Sequence, residues 1–467
     1  MGSVLASYLK LSMLRTIFVC AIGLVAASYA VRGAFYALLF YLWIAYFRPE
    51  SWMWDPSLIE ALKLSFVTGL YLLVRLPGSE AEFRFDLRSI LLFAFLLLSL
   101  ASTVTSRHLV YAWPFWVEFA KTVVITYVLS ILITDPSQYR TVLLVIALSV
   151  GFEAAKQGWV EMVKHPGAKN MNEFPSFGDN NGVAVGMLML MSLFIALAQT
   201  ATRAWERYLH QVLAVGVLYR ALSTYSRGGF LACCALVGLY VLRSKQKVKS
   251  GLGALAVALL VVSVLPQSFW DRMSTIPLSK EQVEREADDS QLSRLHFWNV
   301  AVAMANANPW LGVGHNAFNI NYNRYDFSFG RFGKGRSVHS SWFGVLAELG
   351  YTGLALYVIV FGLAMIACSS VARRARAGDL PPEFGHYAIG LQNSLAVFFV
   401  GGSFVPWQYT EMLWHIVGLS MALRAIAARH QANEAAVVAS AVFNPFRVMP
   451  AVVPVRADTW ARPSGSQ

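Results

Sequence analysis

Charged residues are scarce in this chain: Asp, Glu, Lys and Arg make up only 14% of its 467 residues, while 57% are hydrophobic. A soluble globular domain carries about a quarter charged residues, so the composition argues against that class. Apolar runs of roughly 17 to 25 residues recur along nearly the whole length, and a run of this length spans a bilayer as a helix. The sequence therefore predicts an all-α polytopic membrane protein.

Cysteine is also rare, and its few copies fall inside apolar runs, at Cys20, Cys233, Cys234 and Cys368. Their spacing does not fit a metal site, and two adjacent cysteines are poorly placed for a mutual disulfide. The sequence has no HExxH, no aspartate pair at metal-binding spacing and no Walker loop, so no metal, nucleotide or other cofactor is predicted. The net charge of +12 is typical of positive cytoplasmic loops, and a nucleic-acid partner is not predicted.

Short polar or proline-containing breaks separate the apolar segments. These segments cover residues 14–31, 33–47, 57–75, 88–106, 115–133, 138–157, 178–199, 208–225, 228–243, 250–266, 340–368, 386–403 and 410–428. The first two are short and are joined only by Arg32-Gly33, so they form either a hairpin or a single broken crossing. About 12 or 13 crossings are expected in total.

Lysine and arginine set the expected orientation, because short cytoplasmic loops are enriched in both. The strongest clusters, 243–249 and 373–376, are separated by an even number of crossings, so both can be cytoplasmic. Alternation then places 107–114, 158–177, 226–227, 267–339 and 404–409 on the opposite, periplasm-like face. The predicted organisation is an N-terminal transmembrane bundle (1–266), a periplasmic loop with a catalytic end (267–339), C-terminal transmembrane helices (340–428) and a disordered cytoplasmic tail (429–467).

The loop 267–339 is expected to contain a charged helix or mobile lid at 280–289, followed by an amphipathic helix at 292–307 whose apolar positions include Leu295, Val302 and Met304. Its final stretch carries three cations, Arg331, Lys334 and Arg336, against a membrane boundary. The positive-inside rule disfavours cations on this face, so an anionic ligand is the simplest explanation.

His339 follows this basic stretch at the start of the next apolar segment. A lone histidine at an interface usually makes an ordinary hydrogen bond. Beside a bound phosphate, however, a neutral imidazole can act as a general base.

Arg227 lies in Tyr225-Ser226-Arg227-Gly228-Gly229, at a tight turn expected on the same face as the loop. The two glycines allow backbone amides to approach a ligand, and the N-terminus of the following helix favours anions. The alternative is an arginine that extends its charge from a helix end into the interface.

Other polar residues allow two interpretations each. Lys121 lies about one turn inside an apolar segment, where it either contacts a ligand or pairs with Glu118. Asn181, in Asp179-Asn180-Asn181-Gly182, belongs either to a helix cap or to a sugar-binding contact. His296 and His315 are further candidate sugar contacts, the latter within a Gly-x-Gly turn that is only weak evidence of phosphate binding.

Four motifs in order resemble the O-antigen ligase and polymerase superfamily. They are Ser226-Arg227-Gly228-Gly229, Arg294-x3-Trp298, the run from Asn308 to Phe318, and His339-Ser340-x-Trp342 followed by Glu348-Leu349-Gly350. Their spacing and the large loop before the histidine match across about 178–368. The run from Phe47 to Trp52 resembles, more loosely, ligases of this superfamily that accompany exosortase systems.

The resemblance implies a GT-C-like membrane glycosyltransferase at the periplasmic face of a bacterial inner membrane. Such enzymes move a glycan from undecaprenyl pyrophosphate to an acceptor hydroxyl, without metal or nucleotide. In the ligase branch the acceptor is the lipid A–core oligosaccharide. A polymerase and a protein O-oligosaccharyltransferase, which use the same donor, stay open alternatives. A lipid or polysaccharide transporter is the alternative from another class, although internal repeats typical of transporters are not seen.

The resemblance also suggests roles for the candidate residues. His339 is expected to be the general base, which accelerates the attack of the acceptor hydroxyl by roughly 10²–10⁴-fold. The expected pyrophosphate clamp, which stabilises the leaving charge, comprises Arg227, Arg294 and Arg336, with Lys334, Arg331 and Lys121 as further contributors. Direct attack predicts inversion at the anomeric carbon.

Overall fold

The computed structural model describes residues 2–53, 57, 62–175, 177–244, 246–276 and 289–443. Four sequence expectations fall partly outside this range: residues 58–61 of the apolar segment 57–75, residues 280–288 of the charged stretch, Lys245 of the first basic cluster, and residues 444–467 of the tail. Apart from an isolated bridge between Phe174 and Gly178, the regular elements of the described residues are helices. The all-α prediction is confirmed for this part of the chain.

Helices form at the apolar segments because a backbone in hydrocarbon must satisfy its own hydrogen bonds. In chain order they are α1 Gly2–Ala30, α2 Ala34–Phe47, α3 Leu64–Arg75, α4 Leu87–Thr105, α5 Leu109–Leu132, α6 Pro136–Lys164, α7 Asn180–Gln199, α8 Ala204–Leu222, α9 Arg227–Arg243, α10 Lys247–Val264, α11 Gln267–Ser274, α12 Asp289–Ala307, α13 Phe318–Tyr325, α14 Ser341–Ala377, α15 Pro382–Gly401 and α16 Glu411–Phe443. Each expected apolar segment coincides with a helix among α1–α10 and α14–α16, and several helices run on past the segment.

Within the described residues, seven helices are long and apolar enough to cross a membrane: α1, α4, α5, α6, α7, α14 and α16. The chain is therefore a multi-pass membrane protein, while the count of about 12 crossings stays a prediction. Some of the remaining helices carry polar residues inside the protein, as α8 does with Arg220 and His210, which are both buried. Polar side chains are tolerated on the face of a helix that packs against other helices, because that face is shielded from lipid.

The connection segments expected on one face of the membrane meet at one end of the helix bundle. The backbone N–H of Asn170 donates to the carbonyl of Ser223 (2.7 Å). The hydroxyl of Ser106, after α4, donates to the carbonyl of Val313 in the large loop (2.8 Å). We call this the loop end, because residues 267–339 belong to it.

The opposite end of the bundle collects the other connections. Arg140 at the start of α6 forms an ion pair with Glu206 at the start of α8 (2.9 Å), and His386 in α15 is hydrogen-bonded to Gln199 at the end of α7 (2.9 Å). Both expected cytoplasmic clusters, 243–249 and 373–376, border connections at this end, which we call the basic end.

The large loop is folded over its own small hydrophobic core, and α12 supplies much of it. This core contains Phe297, Val300, Met304, Phe318, Tyr322 and Val338. Helix α12 covers the amphipathic stretch expected at 292–307, and Met304 is buried as expected. Leu295, expected on the apolar face, is instead exposed.

Two glycines allow the large loop to pack closely against α14. Gly350 interrupts that helix with φ 71° and ψ −171°, and a β-carbon there would lie 2.4 Å from the carbonyl oxygen of Pro309. Gly312 has φ +67°, and a β-carbon there would lie 2.3 Å from the carbonyl carbon of Glu348. Residues 308–314 therefore pack directly on the kink, at a distance that only glycine permits.

The final helix extends to Phe443, so residues 429–443 are helical, whereas the sequence predicted a disordered tail from residue 429. The alanines between 432 and 442 favour a helix, because alanine has the highest intrinsic helix propensity.

Candidate functional site

His339 lies at the loop end, between the large loop and α14. Its backbone has a left-handed conformation, with φ 48°, which is uncommon for a residue with a side chain and is enriched at functional sites. The ring is partly buried, 6.2 Å from the ring of Phe297. Its Nδ1 atom is buried and has no hydrogen-bond partner within the described residues.

Three charged residues act electrostatically on His339: Arg294 from α12, Arg336 from the basic stretch, and Asp179 from the start of α7. Burial lowers the pKa of His339, the two arginines lower it further, and Asp179 opposes this shift. An imidazole with a lowered pKa is neutral at neutral pH and can accept a proton. We call these four residues the histidine cluster.

The N-termini of two helices meet beside this cluster. Asp179 caps α7 by accepting the backbone N–H of Gly182 (2.9 Å), and Ser226 caps α9 by accepting that of Gly229 (3.1 Å). The hydroxyl of Ser226 donates to Oδ1 of Asn181 (2.8 Å), which links the two caps. Helix N-termini attract anions, so the arrangement favours a phosphate near these caps.

Arg227 is the first residue of α9, directly after this cap, so the link between Ser226 and Asn181 ties its turn to the start of α7. Its guanidinium donates to the hydroxyl of Thr275, just after α11 (2.9 Å). A second arginine stabilises the same turn: Nε of Arg272 donates to the carbonyl of Tyr225 (2.9 Å). The sequence reasoning missed Arg272, although the charge-bias argument used for the basic stretch also applies to it.

The remaining cations of the basic stretch are exposed. Arg331 lies over the ring of Phe332 (5.2 Å to its centroid), and Lys334 is exposed to solvent. Nε of Arg336 donates to the carbonyl of Phe332. Of the three predicted cations, Arg336 is the one whose charge acts on His339.

His296 occupies the interior of the loop. Its Nε2 lies 2.7 Å from Oδ1 of Asp326, and its ring lies 4.5 Å and 4.9 Å from those of Phe327 and Phe332. Hydrogen bonds from Ser328, Gly330 and His296 lower the pKa of Asp326 to about 2, although burial opposes the shift. His296 and Asp326 thus hold the loop together around a buried ionised carboxylate.

Glu348, on α14, ties two further segments to this end. Its Oε1 accepts the backbone N–H of Phe318 (3.3 Å), and its Oε2 accepts the amide of Gln408 (3.1 Å). Sequence reasoning used Glu348 only for the resemblance, although an ionisable residue inside an apolar segment is a candidate by itself.

Lys121 makes its ionic contacts in a separate cavity of about 600 Å³ at the loop end, between the ends of α2, α3 and α16 and the middle of α5. Its ammonium group lies 2.5 Å from Oε2 of Glu118 and 3.6 Å from Oε1 of Glu411. The ion pair with Glu118, one of the two interpretations from the sequence, is therefore present, together with a second carboxylate. We call this space the charged cavity.

His315 lines the charged cavity as well, and its ring lies 3.8 Å from the ring of Tyr409. Burial lowers the pKa of His315 to about 3, although a hydrogen bond with the backbone of Phe115 opposes the shift. Of the three candidate sugar contacts, Asn181 lies beside the histidine cluster, His315 lines the cavity and His296 lies within the loop.

Among the residues that the structure describes, no three His, Cys, Asp or Glu side chains are grouped closely enough to hold a metal ion.

Residues 212–358 match a family described as O-Antigen ligase. Residues 13–191 match a family of unknown function (DUF5935). No curated protein matches the chain. The first match covers Arg227, Arg294, the large loop and His339, and confirms the resemblance to the O-antigen ligase superfamily.

Proposed function

We propose that the chain is a glycosyltransferase that moves O-antigen polysaccharide from undecaprenyl pyrophosphate to lipid A–core oligosaccharide. The observation that carries the proposal is the position of His339, within the O-antigen ligase region and beside two arginines and a carboxylate. In this proposal the loop end faces the periplasm and the basic end faces the cytoplasm of a bacterial inner membrane.

In the proposed reaction, His339 removes the proton of the acceptor hydroxyl as its oxygen attacks the anomeric carbon. The bond between this carbon and the pyrophosphate oxygen breaks, and the electron pair leaves with the pyrophosphate. Arg294, Arg336 and Arg227 stabilise the negative charge that develops there. Asp179 stabilises the imidazolium that forms on His339. A single displacement inverts the anomeric configuration.

The proposal is tested by replacing the base. We expect His339→Ala to lower the transfer rate by roughly 10²–10⁴-fold, because the acceptor hydroxyl then lacks a positioned base. The rate is measured with purified full-length protein in detergent, with the lipid-linked glycan and lipid A–core as substrates. His386→Ala is the matched control, since this histidine lies at the basic end, and it should keep wild-type activity.

Near-wild-type transfer by His339→Ala at equal protein level would contradict the mechanism. Lipid-linked ladders in place of modified lipid A–core would identify a polymerase. Complete absence of transfer in detergent with the wild-type protein would contradict the enzyme proposal.

A further inference from the structure

The histidine cluster accounts for a donor pyrophosphate and a base but leaves the charged cavity without a role. We infer that this cavity binds the acceptor glycan, through a sugar that bears a phosphate or carboxylate group. The inference rests on the proposed function, and it assigns to the acceptor a place separate from that of the donor. Its volume of about 600 Å³ lies within the range of small-ligand sites, roughly 300–1,000 Å³.

The interior of the cavity suits sugar hydroxyls. Lys121 lies between the carboxylates of Glu118 and Glu411, so these three groups carry a net charge of +1 − 2 = −1. The hydroxyl of Tyr41 also donates to Oε1 of Glu411 (3.3 Å), which fixes this carboxylate. Carboxylates accept hydrogen bonds from hydroxyl groups, and the ammonium group donates to ring or hydroxyl oxygens.

Aromatic residues form much of the remaining wall, among them Phe119, Phe177, Trp407 and Tyr409. The faces of a sugar ring that carry C–H bonds are apolar and pack on aromatic rings, while the hydroxyl groups at the ring edge reach polar partners. Carboxylates next to aromatic surfaces therefore fit a sugar better than they fit a lipid chain or an isolated inorganic anion.

Other charged residues of the cavity wall favour an anionic substituent on that sugar. Arg48 and Lys63 also line the cavity, together with Glu50, and these three have a net charge of +2 − 1 = +1. Within the part of the chain that the structure describes, no ion pair is formed by Arg48 or Lys63. Both have a left-handed backbone, with φ 50° and 45°, a strained conformation that often occurs at binding sites.

The cavity adjoins the histidine cluster. Phe177, in its wall, is two residues before Asp179 of the cluster. Ser341, two residues after His339, donates to the carbonyl of Val405 (2.7 Å) and accepts the backbone N–H of Trp407 (2.9 Å). Short chain segments and the two hydrogen bonds of Ser341 thus connect the cavity wall to the histidine cluster.

Most charged groups of the two sites come from different parts of the chain, although Asp179 of the cluster lies within 13–191 and His315 of the cavity wall lies within 212–358. Arg227, Arg294, Arg336 and His339 lie within the O-antigen ligase match, 212–358. The cavity draws Arg48, Lys63 and Lys121 from the region that matches a family of unknown function, 13–191, and Glu411 from beyond both matches. This distribution fits a donor site formed mainly within the O-antigen ligase match and an acceptor site formed mainly outside it.

The inference is tested by direct binding in the absence of donor. The probe is a soluble core oligosaccharide that carries phosphate groups, compared with the same oligosaccharide after phosphatase treatment, and the protein is the full chain in detergent. We expect the phosphorylated form to bind at least tenfold more tightly. The double variant Arg48→Ala/Lys63→Ala should lose this preference, because a charge-assisted hydrogen bond contributes roughly a factor of ten or more.

Kinetics give a second readout. The double variant and Glu411→Gln should each raise the KM for the acceptor about tenfold or more, with the KM for the donor and slow donor hydrolysis by water unchanged. Lys249→Ala, which removes an exposed cation near the basic end, is the matched control and should leave every constant unchanged. Arg48→Lys/Lys63→Arg should restore much of the binding, which separates loss of charge from misfolding.

Equal affinity for the two oligosaccharides, or unchanged acceptor binding in the double variant, would overturn the inference. Failure of the proposed function would give a different result. If both proposals hold, His339→Ala binds the acceptor normally but does not transfer glycan to it. A wild-type protein that binds the acceptor but transfers nothing would refute the transferase activity, while the acceptor-binding site would stand.

Discussion

The histidine cluster and the charged cavity lie at the same end of the bundle, yet their charged groups are held differently. In the cluster, Arg294, Arg336 and Asp179 act on one partly buried histidine. In the cavity, Lys121 is paired with two carboxylates. A cluster with an excess of positive charge suits the developing charge of a leaving pyrophosphate, whereas carboxylates paired with an ammonium group suit the hydroxyl groups of a sugar ring.

The comparison also explains why Lys121 is a weak candidate for the donor clamp. An ammonium group between two carboxylates has its charge largely compensated, so it offers little to an additional anion. Arg294 and Arg336 face an imidazole, and their positive charges lower the pKa of its ring. We therefore place the donor at the histidine cluster.

Arg294→Ala is expected to have the largest effect, and that effect should be confined to the histidine cluster. Transfer should fall by roughly 10- to 100-fold, because a charge-assisted contact to the leaving group is lost, while the KM for the acceptor is unchanged. Since Arg294 lowers the pKa of His339, its removal should also raise the pH below which transfer declines. Profiles of kcat/KM against pH for the wild-type protein and Arg294→Ala test the direction of this change. A downward shift of the pH at which transfer declines, or no shift, would mean that Arg294 does not act on His339.

A smaller effect, on both regions at once, is expected from Gly312→Ala. The new β-carbon meets the backbone of Glu348 at 2.3 Å, and the left-handed φ of +67° disfavours any side chain. We expect a loss of about 1–3 kcal/mol in stability, seen as a lower Tm in detergent, with weaker donor and acceptor binding together.

Gly362→Ala is the control for Gly312→Ala, because no heavy atom lies within 4 Å of its added β-carbon. It should leave the Tm unchanged or slightly raised, since alanine favours a helix. A Gly312→Ala protein with normal Tm would show that the loop does not need this close approach.

The smallest effect is expected from Lys334→Ala. The lysine is exposed to solvent, where water and salt screen its charge, so transfer should change less than about threefold. Arg336→Ala, from the same stretch, should reduce transfer more strongly because Arg336 acts on His339. Equal losses in the two variants would mean that the stretch attracts the donor as a whole, without a specific contact.

The sequence names candidate site residues on different grounds. Arg336 is a cation on a face that disfavours cations and so needs an anionic partner; Arg227 precedes two glycines at a helix N-terminus, His339 follows the basic stretch, and Arg294 comes from the resemblance. Asp179 was considered only as a cap or sugar contact, because its effect on His339 depends on α7 and the loop meeting. The sequence marks His296 as a candidate sugar contact, and only the structure shows that its ring is held by Asp326 in the loop core.

The sequence by itself determined the membrane class, the helices and the resemblance to the O-antigen ligase superfamily, because apolar length, charge bias and motif order are properties of the chain alone. The tertiary structure decided how the candidate residues divide into two sites. Residues 48, 63, 121 and 411 are far apart in sequence, and only the packing of α2, α3, α5 and α16 brings them around one cavity. The same packing placed Lys121 between the carboxylates of Glu118 and Glu411. The distance between two helices cannot be read from the order of residues along each of them.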